Sequence, residues 1–165
     1  MKNLWTPWRM AYIEGKEGKK GGCIFCAAQD KPFSKDDLIL YRDPILTVLM
    51  NRFPYSNGHL LVAPSRHLAE ITELNHEENS RLAAMLQQCT VILKKHLRPD
   101  GFNIGLNLGK VAGAGIADHL HYHIVPRWEG DHNFMTVLDE VRTIPEHIDN
   151  TFARLQPEFK EALIV

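Results

Sequence analysis

The sequence predicts an α+β fold, a mainly antiparallel sheet with one long helix and a C-terminal helical segment covering one face. Three observations lead there. Short apolar or alternating runs recur between Pro, Gly, Asn and Asp residues, as strands do. One stretch, residues 77–97, repeats apolar residues at helical spacing. The strand-like runs lie before and after that stretch, so strands and helices do not alternate as they do in a parallel sheet.

Taken in order, residues 4–13 (LWTPWRMAYI) carry two tryptophans and a tyrosine suited to docking on a partner or on the domain itself, and 15–22 (GKEGKKGG) read as a flexible basic loop. Residues 23–26 (CIFC) form a tight turn that sets two thiols side by side. Runs 38–41 (LILY) and 46–50 (LTVLM), split by Arg42, Asp43 and Pro44, make a hairpin. A turn rich in Pro, Ser, Asn and Gly then enters a strand at 59–63 (HLLVA), closed by Pro64, with His67 just beyond. Within 77–97, Leu82, Met85, Leu86, Cys89, Ile92, Leu93 and Leu97 share one stripe, which puts Cys89 in the core, and Pro99, Asp100 and Gly101 stop the helix. Residues 102–109 (FNIGLNLG) alternate as a half-buried strand, and 109–115 (GKVAGAG) form a glycine-rich loop. Residues 119–127 (HLHYHIVPR) form the last strand, ahead of helical signals around 144–155.

A chain of 165 residues fits one domain over 1–165, with an arm and loop at 1–22, a core at 23–128 and an extension at 129–165. It fits equally one protomer of a small symmetric oligomer. The net charge is -1 and no face or tail concentrates Lys and Arg, so nucleic acid is not the expected partner. No apolar run is long enough to span a bilayer and the N-terminus has no apolar h-region, which implies a cytoplasmic protein without a membrane partner. Three cysteines are too few and too odd a set for a disulfide framework.

On an extended strand alternate side chains share a face, so His119, His121 and His123 project together at steps of about 6.5 Å, with Leu120, Tyr122 and Ile124 behind them. Three imidazoles make a poor core surface, because each needs hydrogen-bond partners once buried. They suit reaction chemistry better. A neutral imidazole attacks phosphorus near neutral pH, and a covalent intermediate splits one hard displacement into two easier ones. Upstream, Asn107 and a run of glycines that includes Gly113 and Gly115 let backbone N–H groups approach an anion. That spacing fits neither a dinucleotide-binding turn nor the lysine-terminated phosphate loop, and by itself it is a plain turn.

Cys23 and Cys26 supply the two-thiolate half of a tetrahedral zinc site, with His67 and His119 as candidates for the other half. A redox role is the rival reading of CxxC, although this pair does not open a helix in a βαβ context. With His119 on a metal, His121 is the next inward imidazole and stays free. His76, His96, His132 and His147 sit among polar residues and are assigned to solvent. Trp5, Trp8 and Trp128 can stack a purine, but aromatics more often serve interfaces, and they are left out of the catalytic set. Read without further context, Asn51 shapes a turn and His59 is a satisfied histidine at a strand start.

Residues 119–125 (HLHYHIV) resemble the signature of the histidine triad family, in which histidines alternate with apolar residues. Residues 51–67 (NRFPYSNGHLLVAPSRH) resemble that family's ribose-binding strand and turn, and the NxG at 107–109 its phosphate-binding segment. The opening LWTPWRMAYI, with GFNIGLNLG and VPRW, resembles the bacterial branch that contains diadenosine tetraphosphate phosphorylases. The resemblance implies an α+β homodimer whose two sheets join. It implies His121 as nucleophile, His123 and His59 at the phosphate and leaving group, Asn51 on the ribose, and Asn107 with Gly113 and Gly115 at the phosphates. The carbonyl of His119 would set the His121 tautomer, and zinc would fall on Cys23, Cys26, His67 and His119, as in related zinc-containing members.

The reaction so implied is cleavage of a dinucleoside polyphosphate, with inorganic phosphate or water as acceptor. Many members carry Gln or Ser shortly before the triad, whereas this chain has Gly113, Ala114, Gly115 and Ile116, which leaves the acceptor open. Hydrolysis of nucleoside phosphoramidates, a non-catalytic nucleotide-binding module and a zinc-stabilised interaction protein are the alternatives.

Overall fold

The protein is described by a computed structural model covering residues 22–131 and 144–161. The N-terminal aromatics Trp5 and Trp8, the basic loop up to residue 21 and His132 lie outside the described residues. A single helical turn, α1 (Ile24–Ala27), opens the fold, followed by β1 (Ile39–Arg42), β2 (Leu46–Met50) and β3 (Leu60–Pro64). Helix α2 (His76–Leu97) comes next, then β4 (Gly101–Leu106), β5 (Tyr122–Arg127) and α3 (Ile148–Glu161). The strands form one sheet in the order β1-β2-β3-β5-β4, and every pairing is antiparallel. The α+β architecture is therefore the one expected.

The sheet has two buried faces. Leu60, Val62 and Ile124 join Leu82, Cys89, Ile92 and Leu93 of α2 and Phe152, Leu155 and Phe159 of α3 in the main core. The alternate positions Ile39, Leu49, Leu61 and Ala63 meet Phe25 and Ala28 on the other side. This is why β2 and β3 are buried at all five positions each and read as continuous apolar runs. His123 pairs across the ladder with Leu61 and Gly105, so the histidine row lies on the face away from α2 and α3.

Four local expectations change. Residues 23–26 are not merely a tight turn, because Cys23 is the N-cap of the helical turn α1. The last strand begins at Tyr122 rather than at His119. Pro64 ends β3 and turns the chain towards Leu68, whose carbonyl takes the Leu120 N–H at 2.7 Å in place of a ladder bond. Finally, α3 runs past 155 through Pro157. Ile148, Phe152, Leu155 and Phe159 follow helical spacing onto the core, and that burial outweighs a lost backbone bond that costs about 3 kcal/mol in a helix interior. This helix also covers His96, which is not left to solvent: its side chain is 19% exposed with Nε2 2.9 Å from Glu158 Oε1.

Helix α2 starts in a capping box, Asn75 accepting from the Glu78 N–H and Glu78 from the Asn75 N–H, and Arg66 grips the same Glu78. That grip fixes the segment carrying His67. Among the described residues no helix is long and apolar enough to cross a membrane.

The turn before His59 is pressed against α2 at Gly58, whose φ is +70° and where a Cβ would lie 2.3 Å from Leu97 Cδ1. Gly58→Ala is expected to destabilise the fold by about 1–2 kcal/mol, read as a lower denaturant midpoint at unchanged slope. A midpoint equal to that of the parent would show that the turn relaxes freely.

Candidate active site and metal cluster

Cys23, Cys26, His67 and His119 come together from three parts of the chain, each offering one atom, and these atoms lie within 4.8 Å of one another. Cys23 Sγ is 3.1 Å from His119 Nδ1, Cys26 Sγ is 3.2 Å from His67 Nδ1 and 3.7 Å from His119 Nδ1, and the two Nδ1 atoms are 3.1 Å apart. Metal bonds of about 2.3 Å to sulfur and 2.05 Å to nitrogen give tetrahedral edges of about 3.6 and 3.4 Å, close to these separations. The donor chemistry agrees as well. His119 gives its Nε2 proton to the Pro64 carbonyl at 2.8 Å, which leaves the Nδ1 lone pair facing the thiols. The residues fit a four-coordinate metal ion.

Two residues further on, His121 donates from Nδ1 to the carbonyl of His119 at 2.8 Å. Its proton is thereby committed, and the Nε2 lone pair is available to a reacting group. His121 is 5% exposed and packs near Phe25, at a centroid distance of 5.2 Å, and His123, at 4.9 Å.

A second chain of bonds fixes His123. The Tyr55 N–H donates to His59 Nδ1 at 3.1 Å, with Asn51 Nδ2 at 3.2 Å from the same atom. His59 therefore carries its proton on Nε2 and gives it to His123 Nδ1 at 2.9 Å. His123 in turn holds its proton on Nε2. Asn51, expected at the ribose, uses Oδ1 to accept the Phe53 N–H at 2.9 Å, so its amide braces both the turn and His59. Tyr55 covers this pair, its ring 4.7 Å from His59 and 5.9 Å from His123.

The glycine-rich segment divides between two hollows. Asn107 lines an open cavity of about 680 Å³ together with His123, Tyr55 and Trp128. Gly115 lines a smaller one beside Cys23, His67 and Lys110. Gly113 closes the short 3₁₀ turn at Lys110–Ala112 with φ +90°, facing Asn107, whose Nδ2 reaches its carbonyl at 3.4 Å. Sequence reasoning missed Phe25, Tyr55 and the Pro64 carbonyl. Only the first had a signal, an aromatic residue placed between two thiols.

Burial, aided by the neighbouring His123 and His121, pushes the pKa of His59 down to about 3, and burial with His121 pushes His123 down to about 4. Burial lowers His121 too, against the opposing bond to the His119 carbonyl. All three are neutral at neutral pH. Their folded values lie below the 6.5 of an ordinary histidine, so the unfolded chain takes up more protons between about pH 6.5 and 3 and stability falls as pH drops through that window. Denaturant midpoints are expected to fall between about pH 7 and 4.5, and to fall less in His59→Gln. Equal falls in both proteins would place the effect on other groups, the metal ligands first.

A family model described as HIT domain matches residues 33–130. The chain is 36% identical to an AP-4-A phosphorylase of Mycobacterium tuberculosis, over 96% of this chain and 85% of that protein. It is 31% identical to an adenosine 5'-monophosphoramidase of Schizosaccharomyces pombe, over 64% of this chain and 74% of that protein. A solved structure of a Zn-bound histidine triad family protein from Mycobacterium smegmatis superposes with a TM-score of 0.65 at 28% identity, over 86% of this chain and 95% of its own. A row of histidines leading into the sheet's last strand, inside the stretch that the family model spans, makes the chain a member of the histidine triad, or HIT, family.

Proposed function

We propose that the protein is an enzyme that cleaves dinucleoside polyphosphates of the diadenosine tetraphosphate type by passing a nucleotidyl group through a covalent bond to His121. The observation that carries this reading is the state of His121, whose Nδ1 proton is bound to the His119 carbonyl and whose Nε2 is free beside His123. Likeness to an AP-4-A phosphorylase along nearly the whole chain supports the substrate class.

His121 Nε2 attacks the α-phosphorus, so that a P–N bond forms while the P–O bond to the leaving nucleotide breaks. The ring becomes cationic because Nδ1 keeps its proton, and the His119 carbonyl stabilises that charge. His123 donates its Nε2 proton as a hydrogen bond to the phosphate or the leaving oxygen, held in that tautomer by His59. Asn51 Oδ1 keeps a second lone pair for a ribose hydroxyl, and Asn107, which shares the cavity with His123, faces the phosphates, the loop through Gly113 and Gly115 following it. An oxygen of inorganic phosphate or water then attacks phosphorus, the P–N bond breaks, its electron pair returns to Nε2, and the acceptor loses a proton.

Cys23, Cys26, His67 and His119 hold zinc in this reading, supported by their spacing and by the zinc in the mycobacterial relative. Four protein ligands leave no position for water, so the ion supplies structure rather than a nucleophile. The outer edge of β4, unpaired among the described residues and with Ile104 45% exposed, supports a homodimer, and the free cysteines support a cytoplasmic location. Hydrolysis of a nucleoside phosphoramidate by the same nucleophile is the second reading, favoured by the likeness to the yeast monophosphoramidase.

Incubated with diadenosine tetraphosphate, the protein is expected to release ADP and ATP only when phosphate is present, and His121→Ala to release neither. AMP without phosphate would make it a hydrolase. No turnover, with cleavage of adenosine phosphoramidate instead, would establish the second reading. Metal analysis is expected to find about one zinc per chain, lost in Cys23→Ser; intact protein without metal would refute the zinc assignment.

A further inference from the structure

One of the two residues between the cysteines does more than fill space. Phe25 is fully buried in α1, and its ring lies 4.9 Å from the ring of His119 at 46° and 5.2 Å from that of His121 at 35°. One side chain thus touches both a ligand of the metal cluster and the reacting imidazole, from a helical turn whose two flanking thiols belong to that cluster.

His121 needs such a contact. Its bond to the His119 carbonyl anchors one atom and selects a tautomer, but a single anchor leaves the plane of the ring to be set by what packs on its faces. Its ring neighbours are Phe25, at 5.2 Å and tilted by 35°, and His123, at 4.9 Å and edge-on at 62°. His123 is itself held by His59, and Phe25 is held by the cysteine turn. A flat aromatic wall has a second effect. When His121 takes the nucleotidyl group its ring becomes cationic, and an aromatic face within about 6 Å attracts that charge, which an aliphatic side chain does not.

We propose that Phe25 is a positioning residue for His121, orienting the attacking ring and transmitting to it the rigidity of the cysteine turn. The proposal rests on His121 being the nucleophile. It assigns Phe25 a part in the rate of the covalent step and none in nucleotide binding or metal retention.

Phe25→Leu keeps an apolar side chain while removing the ring, and Ile39→Ala opens a cavity in the same apolar cluster from β1. In Phe25→Leu, single-turnover nucleotidylation of His121 is expected to slow about tenfold, the scale of a small misplacement of a reacting group. Zinc content and the Kd for AMP should stay within about twofold of the parent. In Ile39→Ala the melting temperature should fall with that rate unchanged. The His121 Nδ1–H resonance should exchange faster with solvent in Phe25→Leu and not in Ile39→Ala. The proposal is overturned by an unchanged rate in Phe25→Leu with zinc retained, by equal slowing in Ile39→Ala, or by a loss that follows zinc or AMP binding. If the parent forms no nucleotidylated enzyme, the reaction reading fails, and the exchange of the Nδ1 proton still decides whether Phe25 orients the ring.

Discussion

The hydrogen bond from His121 Nδ1 to the carbonyl of His119 ties the site to the fold. A backbone carbonyl is a useful acceptor only if its residue cannot move, and His119 is held at both ring nitrogens, by Pro64 through Nε2 and by the cysteines and His67 through Nδ1. The neighbouring Leu120 N–H is taken by the Leu68 carbonyl. The segment carrying the acceptor is therefore pinned from both sides just before β5 joins the ladder at Tyr122. Fixing the backbone there fixes the tautomer of the next histidine on the same face.

A different logic governs His123 and His59. Among the described residues, the bonds that hold the two rings come from backbone, amide and imidazole groups, none of which carries a negative charge. Donors from Tyr55 and Asn51 converge on one nitrogen of His59 and send its proton the other way, towards His123. Protonating His123 at Nδ1 would set two N–H groups against each other at 2.9 Å. Burial and hydrogen-bond geometry thus oppose the extra proton together, and both rings stay neutral.

Much of this was legible in the sequence because it depends on period and spacing. Five strand-like runs, one long apolar stripe and the alternation of histidines set the antiparallel sheet, the main helix and the shared face. The quartet of Cys23, Cys26, His67 and His119 could be proposed from a thiol pair and two histidines at strand ends, and the structure brings these four together. What was not legible depends on three-dimensional neighbours. Nothing local says that Pro64 offers its carbonyl to His119, that Tyr55 covers His59, or that Asn51 spends its amide on the turn. Pro157 also misleads a local reading, since only the burial of Phe159 explains why α3 continues through it.

The third cysteine has a practical meaning for anyone working with this protein. Cys89 is wholly enclosed between α2 and the sheet, and burial drives its thiol far from ionisation, so it does not meet reagents in solution. With the metal cluster emptied by a chelator, alkylating agents applied to the folded chain read Cys23 and Cys26 alone, and a third equivalent of label records unfolding. The molecule carries its own gauge of integrity, without an added dye or tag.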